Sequence, residues 1–158
     1  MAFQIGDLVI HCRDGLATIS SERIIDDQEY FVIVSKRSDS ETIYVPKARA
    51  DVIIRPIMTP EQADDLFDYM NSIPFEFNKN TKQRRDLFKR KLSSGDVKEL
   101  SYLFRQSYLY KKYPEEVRLG PVDYDMLDYS TNNFLDELSI TYQVPRNEIN
   151  QFVEKKFK

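Results

Sequence analysis

The stretch with the clearest chemical character lies at residues 79–91, where seven basic side chains accompany one acidic residue, Asp86. By count this stretch carries a charge of +6, whereas the net charge of the chain is −3, so the remaining residues sum to −9. Cationic side chains at this density bind anionic groups, and a phosphate backbone is the first candidate in a soluble protein. We therefore expect a nucleic-acid contact here, with a solvated helix face as the simpler alternative.

The basic stretch has the periodicity of a helix. Asn80 or Thr81 can cap its start, and Gly95 can end it in the left-handed conformation. At 100° per residue the apolar side chains share one side of this helix: Leu87, Phe88 and Leu92. Basic side chains share the roughly opposite side: Lys82, Arg85 and Lys89. The pattern predicts a helix anchored by its apolar side, with its positive charge segregated toward solvent.

Side chains suited to catalysis are scarce. The single histidine, His11, adjoins the single cysteine, Cys12, and consecutive strand residues point to opposite faces, so the two cannot form a nucleophile–base pair. The sequence has no HExxH motif, no paired cysteines and no glycine-rich phosphate loop. The carboxylates of Asp64, Asp65 and Asp68 share one predicted helix face, which offers too few convergent oxygens for a cation. We expect no enzymatic activity, no metal, no cofactor and no small-molecule ligand.

Length and composition indicate a folded protein of one medium domain or two small ones. The chain has 158 residues, is 41% hydrophobic, and contains ten phenylalanines and ten tyrosines. No apolar run reaches the roughly 20 residues that span a bilayer, and the N-terminus has no signal-peptide core. One cysteine cannot form an internal disulfide. We therefore expect a cytoplasmic protein without membrane contact.

The hydrophobic pattern changes once along the chain. Residues 1–57 contain five short predicted strands separated by turn residues, at 7–13, 16–25, 29–35, 41–45 and 51–57. Short, regularly spaced strands of this kind predict a small, strongly bent antiparallel barrel.

Helical periodicity begins after residue 58. Thr59, Pro60 and Gln62 form a helix-start signature, and apolar residues at helical spacing continue to the C-terminus. We predict about five helices over residues 59–158. The expected fold class is therefore α+β, with two modules: a small β-barrel at 1–57 and an all-α domain at 59–158.

Several short motifs, in order, carry a family resemblance. They are residues 3–9 (FQIGDLV), 14–17 (DGLA), 43–46 (IYVP), 84–97 (RRDLFKRKLSSGDV) and 134–138 (FLDEL). Each is weak alone, but their order and spacing together are fairly specific. The chain resembles, over nearly its full length, the CarD-like bacterial transcription regulators. That family shares its N-terminal module with the RNA polymerase-interacting domain of transcription-repair coupling factors.

The resemblance implies a Tudor/SH3-like barrel at residues 1–57 that binds the RNA polymerase β subunit through an exposed strand edge. It implies that the helical domain at 59–158 contacts promoter DNA at the upstream edge of the transcription bubble. Family members stabilise the open complex and so modulate initiation, which implies a bacterial regulator held at the nucleoid through polymerase. Tethering would give weak DNA contacts a high effective concentration.

Two positions depart from the family pattern. Well-studied members place a tryptophan at the start of the basic helix, where it acts as a wedge, whereas this chain has no tryptophan and carries Thr81 at that position. The arginine that often precedes Val-Pro in the polymerase-binding strand is Tyr44 here, and aromatic residues suit interface cores. The sequence therefore resembles a divergent member of the family.

The candidate site residues follow from the charge pattern and the resemblance together. DNA-backbone contact is expected first from Lys82, Arg85 and Lys89, then from Lys79 and Arg90, with Arg84 turned partly inward. Polymerase contact is expected from Ile43 and Tyr44, and then from Arg23 and Lys36.

Two other functions fit the same basic helix. One is a protein-interaction adaptor without DNA contact, whose basic face meets an acidic partner. The other is an RNA-binding or ribosome-associated protein. Promoter DNA recognition remains the leading interpretation, with backbone contacts that position the protein without reading sequence.

Overall fold

The computed structural model describes residues 2–37 and 41–158, and the chain divides into two units, Met1–Ile57 and Met58–Lys158. The first unit is built on a β-sheet and the second contains only helices and connectors. This confirms the α+β class and is compatible with a layout of two modules. Within the described ranges, no helix is long and apolar enough to cross a membrane, and no cluster of three or more metal-ligating side chains occurs.

The β unit contains five antiparallel strands in the order β4-β3-β2-β1-β5. The strands are β1 Leu8–His11, β2 Gly15–Ile25, β3 Gln28–Ser35, β4 Thr42–Pro46 and β5 Ile54–Pro56. No pairing joins β4 to β5 within residues 2–37 and 41–158, so the sheet is open and the closed barrel expected from the sequence is not observed.

Local geometry shapes the long β2–β3 hairpin. Asp26 and Asp27 at its tip have φ values of 51° and 64°, the left-handed pair that a two-residue hairpin turn requires. A register shift between Ile19 and Ser21 is a bulge of the kind that bends a sheet. The bend helps one face to enclose a core that includes the fully buried Ile19 and Ile33.

The predicted fifth strand is only partly correct. A 3-10 turn at Lys47–Arg49 continues into the short helix α1, Ala50–Ile53, and only Ile54–Pro56 pairs with β1. Val52 and Ile53 have strong β propensity, yet both lie in this helix, which begins at the buried Ala50. This shortening of the last strand also leaves little edge with which to close a barrel.

The helical unit contains five α-helices, as predicted: α2 Pro60–Asn71, α3 Thr81–Ser94, α4 Val97–Lys112, α5 Pro121–Tyr142 and α6 Ile149–Lys156. The predicted start of α2 is confirmed, because Thr59 accepts a hydrogen bond from the Gln62 backbone and the Gln62 side chain accepts one from the Thr59 N–H.

Two apolar clusters hold the helices together. The larger one joins α2, α4, α5 and α6, with Phe104 and Phe134 stacked at its centre, 4.9 Å between ring centroids. The smaller one surrounds Phe88 of α3, which packs with Leu103 of α4 and Leu127 of α5. The basic helix is therefore mounted on α4 and α5 through a core of its own.

Candidate nucleic-acid interface

Helix α3 has well-defined ends. The Asn80 side chain accepts a hydrogen bond of 2.9 Å from the Gln83 N–H and so caps the first turn. At the other end Gly95 takes the left-handed conformation, with φ of 68°. Since both signals are local, the sequence predicts the limits of the basic helix correctly.

The inner side of α3 buries an arginine as well as a phenylalanine. Arg84 is 4% exposed and Phe88 is 1% exposed, one turn apart. The Arg84 guanidinium donates to both carboxylate oxygens of Asp123, at 3.1 and 2.8 Å, and to the Asn78 carbonyl at 3.0 Å. It also lies over the Phe77 ring, 5.1 Å from the centroid. Arg84 therefore has a structural role, and its burial leaves little of the guanidinium exposed for the DNA contact expected from the sequence.

The partner of this arginine, Asp123, lies in the first turn of α5 and is fully buried. It also accepts a 2.9 Å hydrogen bond from the Gly120 N–H. Burial raises the pKa of Asp123, but the hydrogen bonds from Arg84 and Gly120 and the nearby Arg85 outweigh it, so the pKa lies below its ordinary value. Asp123 is thus an ionised carboxylate that ties α3 to α5.

Arg85 stands at the boundary of the inner side. Its side chain is 31% exposed, and its Nε lies 3.5 Å from an Asp123 oxygen, which is an ion-pair distance rather than a short hydrogen bond. A Cβ at Gly120 would meet the Arg85 guanidinium at 2.9 Å, so the glycine makes room for it. The prediction that Arg85 belongs to the solvent face is therefore only partly correct.

The outer side of α3 presents the remaining basic candidates. Lys82, Lys89 and Arg90 are exposed, as is Lys79 just before the helix. Lys82 pairs with Asp86 at 3.1 Å. The other three make no ion pair with any residue that the structure describes. We call Lys79, Lys82, Lys89 and Arg90 the outer basic face.

The last basic residue of the stretch does not join that face. Lys91 forms a 2.7 Å ion pair with Glu99 and lies over the Tyr102 ring, 4.4 Å from its centroid. It therefore joins α3 to α4.

Thr81, the predicted wedge position, is the exposed first residue of α3. The phenylalanines of the preceding connector are engaged elsewhere. Phe75 and Phe77 each meet the Tyr110 ring edge-on, at centroid distances of 5.9 and 5.7 Å. Neither projects from the surface as a free aromatic wedge.

The predicted polymerase-contact residues fall into three settings. Arg23 and Tyr44 come together across the sheet, since Arg23 donates a 3.2 Å hydrogen bond to the Tyr44 hydroxyl. Ile43 points to the opposite face, toward the sheet core. Lys36 is exposed and follows the end of β3. Among the described residues β4 pairs with β3 alone, so it is an edge strand.

Two residues that contribute to the surroundings of α3 were not predicted from the sequence. Asp123 is 39 positions from Arg84, and no local pattern links them. Arg118 lies outside the basic stretch, yet it lines a cleft together with Lys79 and Thr81. The sequence contains one weak signal for each residue. Asp123 is an acid in the first turn of α5, and Arg118 is a basic residue in the loop before that helix.

The N-terminal part of the chain matches a known protein family. Residues 3–58 match the family described as the CarD-like/TRCF RID domain. The matched residues are those of the β unit, and the match confirms the family resemblance there. Such domains interact with RNA polymerase and belong to a non-enzymatic kind of regulator.

Proposed function

From the premise that residues 3–58 form a CarD-like/TRCF RID domain, we propose that this protein is a transcription regulator acting at initiation. The β unit binds the β subunit of RNA polymerase, and the helical unit touches promoter DNA through the outer basic face. The two together modulate the stability of the open complex. The domain match supports the polymerase half of this proposal. The exposed cations of the outer basic face support the DNA half.

The edge of the β unit supports polymerase binding. Strand β4 offers backbone N–H and C=O groups for pairing with a strand of a partner. Tyr44, 42% exposed, adds an aromatic surface of the type found at interface cores, and Arg23 fixes its hydroxyl. Ile43 then contributes through its backbone, because its side chain packs toward the core.

The outer basic face supports contact with the DNA backbone. Its cations project from a helix that is fixed at both ends and mounted on α4 and α5, so their spacing is set before binding. Contacts of this kind release counterions and fall steeply with salt. A few phosphates bound by an acidic protein make a weak complex, which attachment to polymerase turns into an effective one.

Tyr44→Glu tests the polymerase half. We expect on the order of tenfold weaker binding to isolated polymerase β subunit, because a buried carboxylate costs free energy at an interface core. The fold should persist, since Tyr44 is exposed and the new carboxylate can pair with Arg23. Binding is measured by surface plasmon resonance on the full chain.

The matched control is Tyr124→Glu, which makes the same change at a tyrosine of α5 that is 53% exposed. We expect it to bind the β subunit like the wild type. Equal loss in both variants would contradict the assignment of β4. If the wild-type protein binds polymerase but has no effect on promoter opening, the result would favour the adaptor. If it prefers structured RNA to promoter DNA, the result would favour the ribosome-associated alternative.

A further inference from the structure

A cleft of about 760 Å³ opens beside the N-terminal end of α3. Its walls come from the connector before α3, from the first turns of that helix and from the segment between α4 and α5. Thr81 stands at its edge, and its small side chain leaves the space open. The volume lies in the range of ordinary small-ligand sites, about 300–1,000 Å³.

The aromatic wall of this cleft is held in place from behind. Phe75 and Phe77 line it, and both pack edge-on against Tyr110. The Tyr110 hydroxyl donates to the Glu76 carbonyl at 3.0 Å. The buried Gln106 bonds the Pro74 carbonyl and the Glu76 N–H on either side. The connector is therefore held in a fixed conformation, so its rings lose little conformational freedom when a flat ligand stacks on them.

The formal charges of the cleft cancel, although one of its cations, Lys79, also belongs to the outer basic face. Lys79 and Arg118 are matched by Glu115 and Glu116, and none of the four forms an ion pair with another described residue. Arg84 also lines the cleft, but its charge is neutralised by Asp123. A neutral site with donors and acceptors is a poor phosphate site, whereas it matches the polar edge of a nucleobase.

We propose that this cleft binds one unpaired base of single-stranded DNA, and that the base carries an exocyclic amine. The base stacks on Phe75, since the guanidinium of Arg84 lies over the ring of Phe77. Glu115 or Glu116 accepts a hydrogen bond from the amine, as acidic residues do from the N4 amine of cytosine. This proposal rests on the proposed function, because the outer basic face holds the duplex from which the strand leaves.

Cytosine and thymine oligomers give the sharpest test, since both are pyrimidines and differ at the position that the carboxylates read. The full chain is titrated at low salt against short labelled oligomers of deoxycytidine or thymidine, followed by fluorescence anisotropy. We expect the cytosine oligomer to bind about tenfold tighter, the size of one good base contact. Equal binding of the two oligomers would overturn the proposal.

A double variant, Glu115→Ala with Glu116→Ala, separates base reading from general charge. Removing two acids strengthens binding of every oligomer by electrostatics, but loss of the amine contact should bring the cytosine preference to within about twofold. The matched control is Asp65→Ala with Asp68→Ala on α2, which removes the same charge from exposed positions outside the cleft. This control should keep the preference, and a preference retained by the first variant would overturn the assignment.

Crosslinking locates the base directly. An oligomer carrying one 5-iodocytosine is irradiated with the full chain, and the attached residue is found by mass spectrometry. We expect attachment at Phe75 or Phe77, and attachment confined to residues outside the cleft would overturn the proposal. Binding of double-stranded DNA tests the proposed function separately. If reversing the charges of Lys82, Lys89 and Arg90 leaves duplex binding unchanged, the backbone interface fails, whatever the oligomers show.

Discussion

Both sides of α3 carry basic residues, but the two sides differ in burial and in ion pairing. On the inner side Arg84 is 4% exposed and paired with the buried Asp123. On the outer side Lys89 and Arg90 are exposed and have no ion-pair partner within the described ranges. A buried charge is tolerated only when it is paired and hydrogen-bonded. The contrast shows that a dense basic stretch can divide into a structural half and a binding half.

Removing Asp123 should have the largest effect on stability. Asp123→Ala leaves the Arg84 guanidinium buried without its carboxylate, so we expect the free energy of unfolding to fall by about 3–5 kcal/mol. Urea unfolding followed by the helical circular-dichroism signal measures it. Lys89→Ala, on the outer side, should change the value by less than about 0.5 kcal/mol. Equal effects of the two substitutions would contradict the structural role of the Arg84–Asp123 pair.

A conservative exchange sharpens the same contrast. Arg84→Lys keeps the charge but loses the two-point contact with Asp123, and we expect a loss of about 1–3 kcal/mol in the same urea experiment. Arg90→Lys exchanges the same residue types on the outer side, where no fixed partner exists, and should leave stability unchanged. A neutral result for Arg84→Lys would show that the guanidinium geometry is unimportant.

Low pH should reduce the contribution of Asp123, on the inner side of α3, to the stability of the protein. The pKa of Asp123 is lowered in the folded protein, so its contribution is fully present above its unfolded pKa of about 3.9 and is lost as the pH falls through the lower folded pKa. We expect the stability difference between wild type and Asp123→Asn to be constant near neutral pH and to shrink below about pH 4. Urea titrations at a series of pH values measure this difference. A difference that stays constant down to pH 2 would contradict the ionised state of Asp123.

Local signals predicted much of the fold. The α2 capping box, the Asn80 cap and the left-handed Gly95 depend on neighbours within a few residues, and each is visible in the sequence. The helix inside the predicted fifth strand and the open sheet were not predictable, because pairing of Ile54–Pro56 with β1 depends on residues more than 40 positions apart. Strand propensity alone does not specify which strands meet.

The site was predictable to a similar degree. The helical periodicity of the sequence predicted Lys82 and Lys89 on the outer side of α3, and both are exposed there. It also placed Arg85 outside, and charge density counted Arg84 among the binding residues. Both are drawn inward by Asp123, an acid 39 positions from Arg84 that enters the cluster only through the packing of α5 on α3. Long-range ion pairs of this kind leave no periodic trace in a single sequence.

Retention of polymerase–promoter complexes at increasing salt tests the proposed DNA contact of α3 most directly. The variant Lys82→Glu, Lys89→Glu, Arg90→Glu reverses three of the four charges of the outer basic face. The control Lys111→Glu, Lys112→Glu, Lys155→Glu makes the same charge change at exposed positions elsewhere. We expect the first variant to shorten the lifetime of the complexes and lower the salt slope by roughly 2–3, while both bind polymerase β subunit like the wild type. Equal lifetimes for the two variants would contradict the central claim that the outer side of α3 holds the DNA.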